Sequence, residues 1–297
     1  MDRIQSINRR KCLFTLLSAA AVVVCVCVGV VMNLTTAADE NFDHMGIRTF
    51  CMFTVNSNIL MGISLFMVIP YAIDGLRKSY FRLPDWLVTL LFVTTTALSL
   101  TFLISLCVLA PVKGFVLIFT GSRFFLHGLC PILSIFTFCF VLKDLRLRFR
   151  ATFLCLIPVF AYACVYYTMV KVVGEHRGGW NDFYGFLTRI PEWISLSCFL
   201  PLTFGIAFGL RALHNASCER YRKKARKSYL AAYDANDVRE VIVHMASINS
   251  KKDTTGSIVI PYQVLRMLLS SGESEETFEE YCILYMKECF KHEISQE

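Results

Sequence analysis

The chain has 297 residues, of which 55% are hydrophobic and 18% charged, and its formal net charge is +7. So large an apolar excess lies outside the range of soluble globular domains and excludes that class. The sequence therefore predicts an integral membrane protein.

Six stretches are long and apolar enough to cross a bilayer, which takes about 20 residues as a helix. The predicted spans are residues 12–32, 51–75, 86–110, 119–142, 151–173 and 193–213. The first is longer than the apolar core of a secretory signal, so we expect it to be retained. These runs predict an all-α fold: a polytopic membrane bundle of six transmembrane helices over residues 1–213, and a small, mainly helical cytoplasmic C-terminal tail over residues 214–297.

Basic residues predict the orientation of the bundle, because short cytoplasmic loops are enriched in Lys and Arg. The excess of basic residues occurs at the amino terminus, in the second and fourth connections and directly after the sixth span. Acids offset it at residues 35–50 and 174–192. Both termini are therefore predicted to be cytoplasmic. With its short loops, the protein is expected in a plasma membrane, a bacterial inner membrane being our first choice.

A dense basic run follows the sixth predicted span. Its cations are Arg220, Arg222, Lys223, Lys224, Arg226 and Lys227. Anionic headgroups attract such residues by about 1 kcal/mol each, so the run predicts a membrane-surface anchor, with membrane lipids as partners. Because its position beside a span explains it, we do not expect nucleic acid binding. The tail beyond it is interpreted as the binding element for a cytoplasmic protein partner.

Thirteen cysteines are present, mostly within spans, and they show no metal-ligand spacing. We therefore predict neither a metal site nor a cofactor.

The densest polar cluster inside any span comes early in the second, where Thr54, Asn56, Ser57 and Asn58 lie within five residues. In a helix Thr54 and Asn58 share a face, and Asn56 points away. Such groups are costly in hydrocarbon without partners. They indicate either a functional site or hydrogen bonds that join helices.

A single histidine, His127, lies within a predicted span. The predicted topology places it and Thr54 in the outer third of the bundle at similar depths. A hydroxyl beside an imidazole is the minimum for nucleophilic acyl transfer: Thr54 would attack, His127 would accept its proton, and Asn58 would stabilise the oxyanion.

Four further residues are candidates for binding the substrate or the oxyanion. Asn56 and Ser57 directly precede Asn58 in the same cluster. Trp180 and Tyr184 lie in the fifth connection, on the same predicted side of the membrane, and would cover the site.

Two motifs carry a resemblance to a known family. The segment 53–59, with Phe-Thr followed by Ser-Asn, and the segment 127–131, with His four residues before Pro, are similar to those of the androgen-induced-protein family of six-span membrane hydrolases and its uncharacterised bacterial relatives. The likeness extends over roughly residues 10–213. It implies that Thr54 is the nucleophile, that His127 is the general base, and that the substrates are fatty acid esters of hydroxy fatty acids.

The sequence leaves two functions open. One is a threonine/histidine hydrolase acting on lipid esters at the outer leaflet. The other is a non-catalytic membrane receptor, carrier or scaffold with a cytoplasmic interaction tail, which the unexplained tail favours. Transport is less favoured, because the spans show neither paired broken helices nor a buried mid-membrane acid.

Overall fold

The computed structural model describes residues 2–35, 46–78, 83–143, 145–185, 187 and 192–232. All regular structure within these residues is helical, and six helices are long and apolar enough to cross a membrane. The prediction of an all-α, six-span chain is confirmed to that extent. The tail beyond residue 232 lies outside the described residues.

Each of the six long helices corresponds to one predicted span. They are α1, Asp2–Thr35; α2, Phe53–Lys78; α3, Asp85–Lys113; α4, Gly121–Val141; α5, Ala151–Val173; and α6, Glu192–Ala232. A 3₁₀ turn, Gly46–Cys51, leads into α2, and a short helix, Phe115–Ile118, joins α3 to α4. We call the end of the bundle at which α2 and α4 begin the Thr54 end, and the opposite end the His214 end.

Wide, π-helical turns interrupt three of these helices. They are Ser105–Leu109 in α3, Phe124–Leu129 and Thr137–Val141 in α4, and Thr168–Val173 in α5. Pro111 and Pro131 follow two of them. Proline has no N–H to donate to the carbonyl four residues earlier, so the α-helical ladder is already broken there. Such widened turns are frequent at functional sites.

The core lies between α1, α2, α3 and α4, and α3 is the most enclosed helix. The consecutive hydroxyl side chains Thr94, Thr95 and Thr96 of α3 are fully buried. Thr95 and Ser99 donate to the carbonyls four residues earlier at 2.6 and 2.7 Å. These polar groups are satisfied within their own helix. Such small hydroxyl side chains let neighbouring helices pack closely against α3.

Close approach also fixes α1 against α4. A Cβ atom added to Gly29 of α1 would lie 2.8 Å from Leu126 Cδ2 and 3.0 Å from Phe125 Cβ. Glycine thus lets the two backbones approach at the wide turn of α4 that carries His127.

The sixth helix departs from the predicted sixth span. The predicted boundary at residue 213 falls inside α6, which continues to Ala232, and the compact unit that holds the six spans extends to Arg222. The change of composition at His214 marks where the helix becomes polar, and neither Gly nor Pro is present there to end it. Of the predicted anchor residues, Arg220 is exposed on α6, and the side chains from Arg222 onward lie outside the described residues.

His214 and Asn215 of α6 bind the chain between α4 and α5. The fully buried ring of His214 has one nitrogen 2.9 Å from the Phe138 carbonyl oxygen and the other 2.9 Å from that of Leu145. Asn215 accepts from the Leu147 N–H at 2.8 Å and donates to the Leu147 carbonyl at 3.1 Å. We call His214 and Asn215 the clasp.

Candidate functional site

The beginning of α2 is closed by side chains from elsewhere in the chain. The first N–H groups of a helix have no partner within it. The N–H of Phe53 donates to the hydroxyl of Tyr184 at 3.1 Å, and the hydroxyl of Tyr162 donates to the Cys51 carbonyl at 2.7 Å. The connection after α5 therefore lies over the start of α2, beside Thr54.

Hydrogen bonds hold this connection on α5. The hydroxyl of Tyr166 donates to Asp182 Oδ1 at 2.6 Å and accepts from the N–H of Tyr184 at 3.2 Å. The chain also turns back on the end of α5, where the N–H of Trp180 donates to the Met169 carbonyl at 3.1 Å. These bonds fix the position of the Tyr184 side chain.

Aromatic rings in tilted and edge-to-face contact complete the cover. Ring centroids are 5.1 Å apart for Phe53 and Tyr162, 5.1 Å for Tyr166 and Phe183, and 4.6 Å for Phe183 and Tyr184. Trp180 packs on Tyr166 with centroids 6.2 Å apart. Of the two predicted covering residues, Tyr184 reaches the start of α2, whereas Trp180 supports the cover through its neighbours.

The hydroxyl of Tyr184 stays protonated at neutral pH. Burial raises the pKa of this phenol, and its hydrogen bonds with Tyr162, Phe53 and Thr54 lower it by less. Because it remains an O–H group beside Thr54, Tyr184 brings a neutral hydroxyl to the predicted nucleophile.

The polar cluster of α2 is buried on one face, as its spacing predicted. Thr54 is 9% exposed and Asn58 fully buried, while Asn56 is exposed and donates to the Phe50 carbonyl at 2.8 Å. The Ser57 hydroxyl donates to the Thr54 carbonyl at 3.0 Å. The side chains of Asn56 and Ser57 therefore donate to backbone carbonyl groups of their own segment.

Asn58 joins α2 to α4 beside His127. Its amide nitrogen donates to the Thr54 carbonyl at 2.7 Å and to the Leu126 carbonyl at 3.0 Å. Both N–H groups are thus used, and an oxyanion role for Asn58 would require one of these bonds to break. Its Oδ1 atom is buried and has no hydrogen-bond partner among the described residues. The atom of Asn58 that can still form a hydrogen bond is therefore an acceptor, Oδ1.

The nearest polar partner of His127 comes from α3. Its Nδ1 atom lies 2.6 Å from the Ser105 hydroxyl, and each of the two residues lies in a wide turn of its helix. No local sequence pattern predicts this pair. The sequence does contain one indication of the contact. Because α3 ends and α4 begins at the same end of the bundle, Ser105 and His127 are expected at similar depths in the membrane.

These contacts bring the predicted residues to one junction of α2, α3, α4 and the connection after α5. We call Thr54, Asn58, Ser105, His127 and Tyr184 the Thr54 cluster. Within the described residues no hydrogen bond joins the Thr54 side chain to His127, and the two are linked through Asn58 and the Leu126 carbonyl. No set of three potential metal ligands occurs in the part of the chain that the structure describes.

Replacing Gly179 by alanine tests whether the cover positions Tyr184. A Cβ atom there would collide with the Met169 carbonyl oxygen and lie 2.7 Å from the Gly174 carbonyl oxygen, and backbone atoms cannot easily move aside. We expect Gly179→Ala to destabilise the protein by about 1–3 kcal/mol and to displace Tyr184. The measurement is the Tm together with Trp180 fluorescence.

The matched control is Gly205→Ala on α6, where nothing lies within 4 Å of the added Cβ atom. It should leave the Tm unchanged or raise it, because alanine favours a helix by about 1 kcal/mol over glycine. An unchanged Tm and unchanged fluorescence in Gly179→Ala would show that the connection is not held as described.

No protein-family model, no curated protein and no solved structure matches the chain significantly.

Proposed function

We propose that this protein is an integral membrane hydrolase that cleaves lipid esters at the Thr54 cluster. The observation that carries the proposal is the 2.6 Å contact between His127 Nδ1 and the Ser105 hydroxyl inside the cluster. When Nδ1 carries the ring proton, its N–H donates a hydrogen bond to the Ser105 oxygen. The other ring nitrogen, Nε2, is then an acceptor. That is the state a general base needs.

The proposed reaction proceeds in two steps. The Thr54 hydroxyl attacks the ester carbonyl while His127 Nε2 takes its proton, and the proton then passes to the departing alkoxide, leaving an acyl group on Thr54. Water, deprotonated by His127, attacks the acyl-threonine, the bond to Thr54 Oγ breaks and His127 returns the proton to that oxygen, which releases the fatty acid. Ser105 orients the imidazole throughout and does not react.

Tyr184 is the proposed oxyanion donor in place of Asn58. Its neutral hydroxyl contacts Thr54, whereas both N–H groups of Asn58 are already donated to carbonyls. A neutral hydroxyl beside the nucleophile can donate to the negative charge that develops in the transition state.

The substrate proposed for this site is a long-chain ester that reaches it from the membrane. The cluster lies between helices whose outward faces are apolar, which suits a lipid better than a water-soluble ester. The resemblance to the androgen-induced-protein family favours fatty acid esters of hydroxy fatty acids. With both termini in the cytoplasm of a bacterial cell, the cluster would open towards the outer leaflet of the plasma membrane.

A second candidate is a non-catalytic membrane receptor, carrier or scaffold that binds a ligand at the same cluster. It is favoured by the depth of the hydroxyls, since Thr54 is 9% and Ser105 1% exposed. It is favoured also by Asn58 Oδ1, an acceptor that a ligand with an N–H or O–H group would satisfy.

Release of free fatty acid from a fatty acid ester of a hydroxy fatty acid distinguishes the two candidates. We expect purified wild-type protein in lipid nanodiscs to catalyse it, and Thr54→Ala to lower the rate about 10³-fold by removing the nucleophile. Ser64→Ala is the control, because Ser64 is a buried hydroxyl of the same helix that donates to the Leu60 carbonyl at 2.7 Å, away from the cluster. Full activity in folded Thr54→Ala would contradict the hydrolase, and binding without turnover would favour the receptor.

A further inference from the structure

One face of α6 carries a cation between two exposed aromatic rings. Phe204, Phe208 and Arg211 are four and three residues apart and share this face. The guanidinium carbon of Arg211 lies 5.0 Å from the centroid of the Phe149 ring and 5.3 Å from that of Phe208. Phe149 and Phe208 are 48% and 47% exposed, so the cation lies at the surface of the bundle.

The hydrogen-bonding capacity of Arg211 is not used within the described residues. Its Nε atom is buried and has no partner there, and no described carboxylate lies within ion-pair distance of the guanidinium. A cation surrounded by apolar groups requires water or an anion to compensate its lost hydration.

The depth of Arg211 suits a headgroup phosphate. It lies one helical turn before His214, which binds the Leu145 carbonyl, so it is close to the level of the connection between α4 and α5. That connection carries the exposed cations Arg146, Arg148 and Arg150. Basic residues at this level meet anionic headgroups at the edge of the hydrocarbon.

An aromatic strip leads from Arg211 along the bundle. The Phe204 ring lies 5.4 Å from that of Phe153 and 6.4 Å from that of Phe149, and Phe153 is 51% exposed. Phe204 and Arg211 are separated by about 10 Å along the helix axis. The strip therefore offers an apolar surface, about a third of a bilayer long, directly beside a cation.

We propose that Arg211 and the strip formed by Phe149, Phe153, Phe204 and Phe208 bind one anionic phospholipid. The phosphate accepts hydrogen bonds from the guanidinium, for which arginine offers a planar fork of donors. One acyl chain lies along the rings. This site is at the His214 end of the bundle and does not depend on the hydrolase.

Native mass spectrometry of the full chain released from nanodiscs tests the site. The discs contain phosphatidylcholine and a minority of phosphatidylglycerol. We expect one retained phosphatidylglycerol on the wild type and about tenfold weaker retention in Arg211→Gln. Arg146→Gln is the matched control, since it removes an exposed cation of the adjoining connection. Equal retention in Arg211→Gln and the wild type, or equal losses in both variants, would overturn the proposal.

Two further arms keep the test decisive. Phe204→Ala leaves the cation in place and should weaken retention of long-chain phosphatidylglycerol. If Arg211→Gln does not fold, this variant tests the site in its place. Unchanged retention in Phe204→Ala would refute the acyl-chain part. Inorganic phosphate should not displace the lipid, and displacement would show that the site binds a free anion.

Discussion

Replacing His127 by alanine is expected to lower kcat/KM for a lipid ester by about 10³-fold or more. The imidazole is the single group in the Thr54 cluster that can take a proton from Thr54 and return it to the leaving alkoxide. The change removes one hydrogen bond, to Ser105, so we expect the folded protein to remain. The measurements are steady-state hydrolysis in nanodiscs and the amount of folded protein by size-exclusion chromatography.

Ser105→Ala is the companion variant. If Ser105 orients the imidazole through Nδ1, its loss should lower kcat by about tenfold and leave KM unchanged, because the base remains but is less well positioned. If Ser105→Ala were as inactive as His127→Ala while Thr54→Ala stayed active, Ser105 would be the nucleophile and the assignment of Thr54 would be wrong.

Replacing His214 by leucine is expected to destabilise the protein by about 3–5 kcal/mol. The substitution removes the contacts of the imidazole with the Phe138 and Leu145 carbonyl groups, and the Leu145 carbonyl keeps a bond from the Cys218 thiol. It also removes the stack of the imidazole on the Phe138 ring, whose centroid is 4.5 Å away. Asn215→Leu should cost about 2–4 kcal/mol, because it removes both bonds to Leu147. The Tm of purified protein checks both values.

His176→Leu is the control for this pair, since His176 is exposed in the turn after α5. It should change the Tm little. If His214→Leu lowered the Tm no more than His176→Leu does, the clasp would contribute nothing to the stability of the His214 end.

Much of the fold follows from apolar runs alone. A run of about 20 apolar residues has one stable form in hydrocarbon, a helix whose backbone satisfies its own polar groups. Residues 151–173 are predicted and found as one span, and Asn56 points away from Thr54 and Asn58 as helical spacing requires.

The partners within the site were harder to predict because they depend on the order of the helices. The contact between Ser105 and His127 requires α3 and α4 to be neighbours and their wide turns to be at one depth. Neither condition is encoded in a local pattern. Tyr184 was expected to cover the site and to bind the substrate or the oxyanion, but its bond to the Phe53 N–H depends on how the connection folds back on α5.

His214 shows a different limit of sequence reasoning. Its polar neighbours suggested that the span had ended, so it was assigned to the tail and to no contact. In the structure it is fully buried within a continuous helix. A polar helical segment can be buried against a connection that offers backbone carbonyls, and composition does not reveal such an acceptor.

The most direct test of the central claim is to locate the covalent adduct formed with a long-chain fluorophosphonate, which phosphonylates an activated hydroxyl. Peptide mass spectrometry of the labelled protein in nanodiscs should find the adduct on Thr54 in the wild type and in Ser64→Ala. It should find none in Thr54→Ala or His127→Ala. An adduct on Ser105, or labelling of Thr54 that persists in folded His127→Ala, would contradict a Thr54 nucleophile activated by His127.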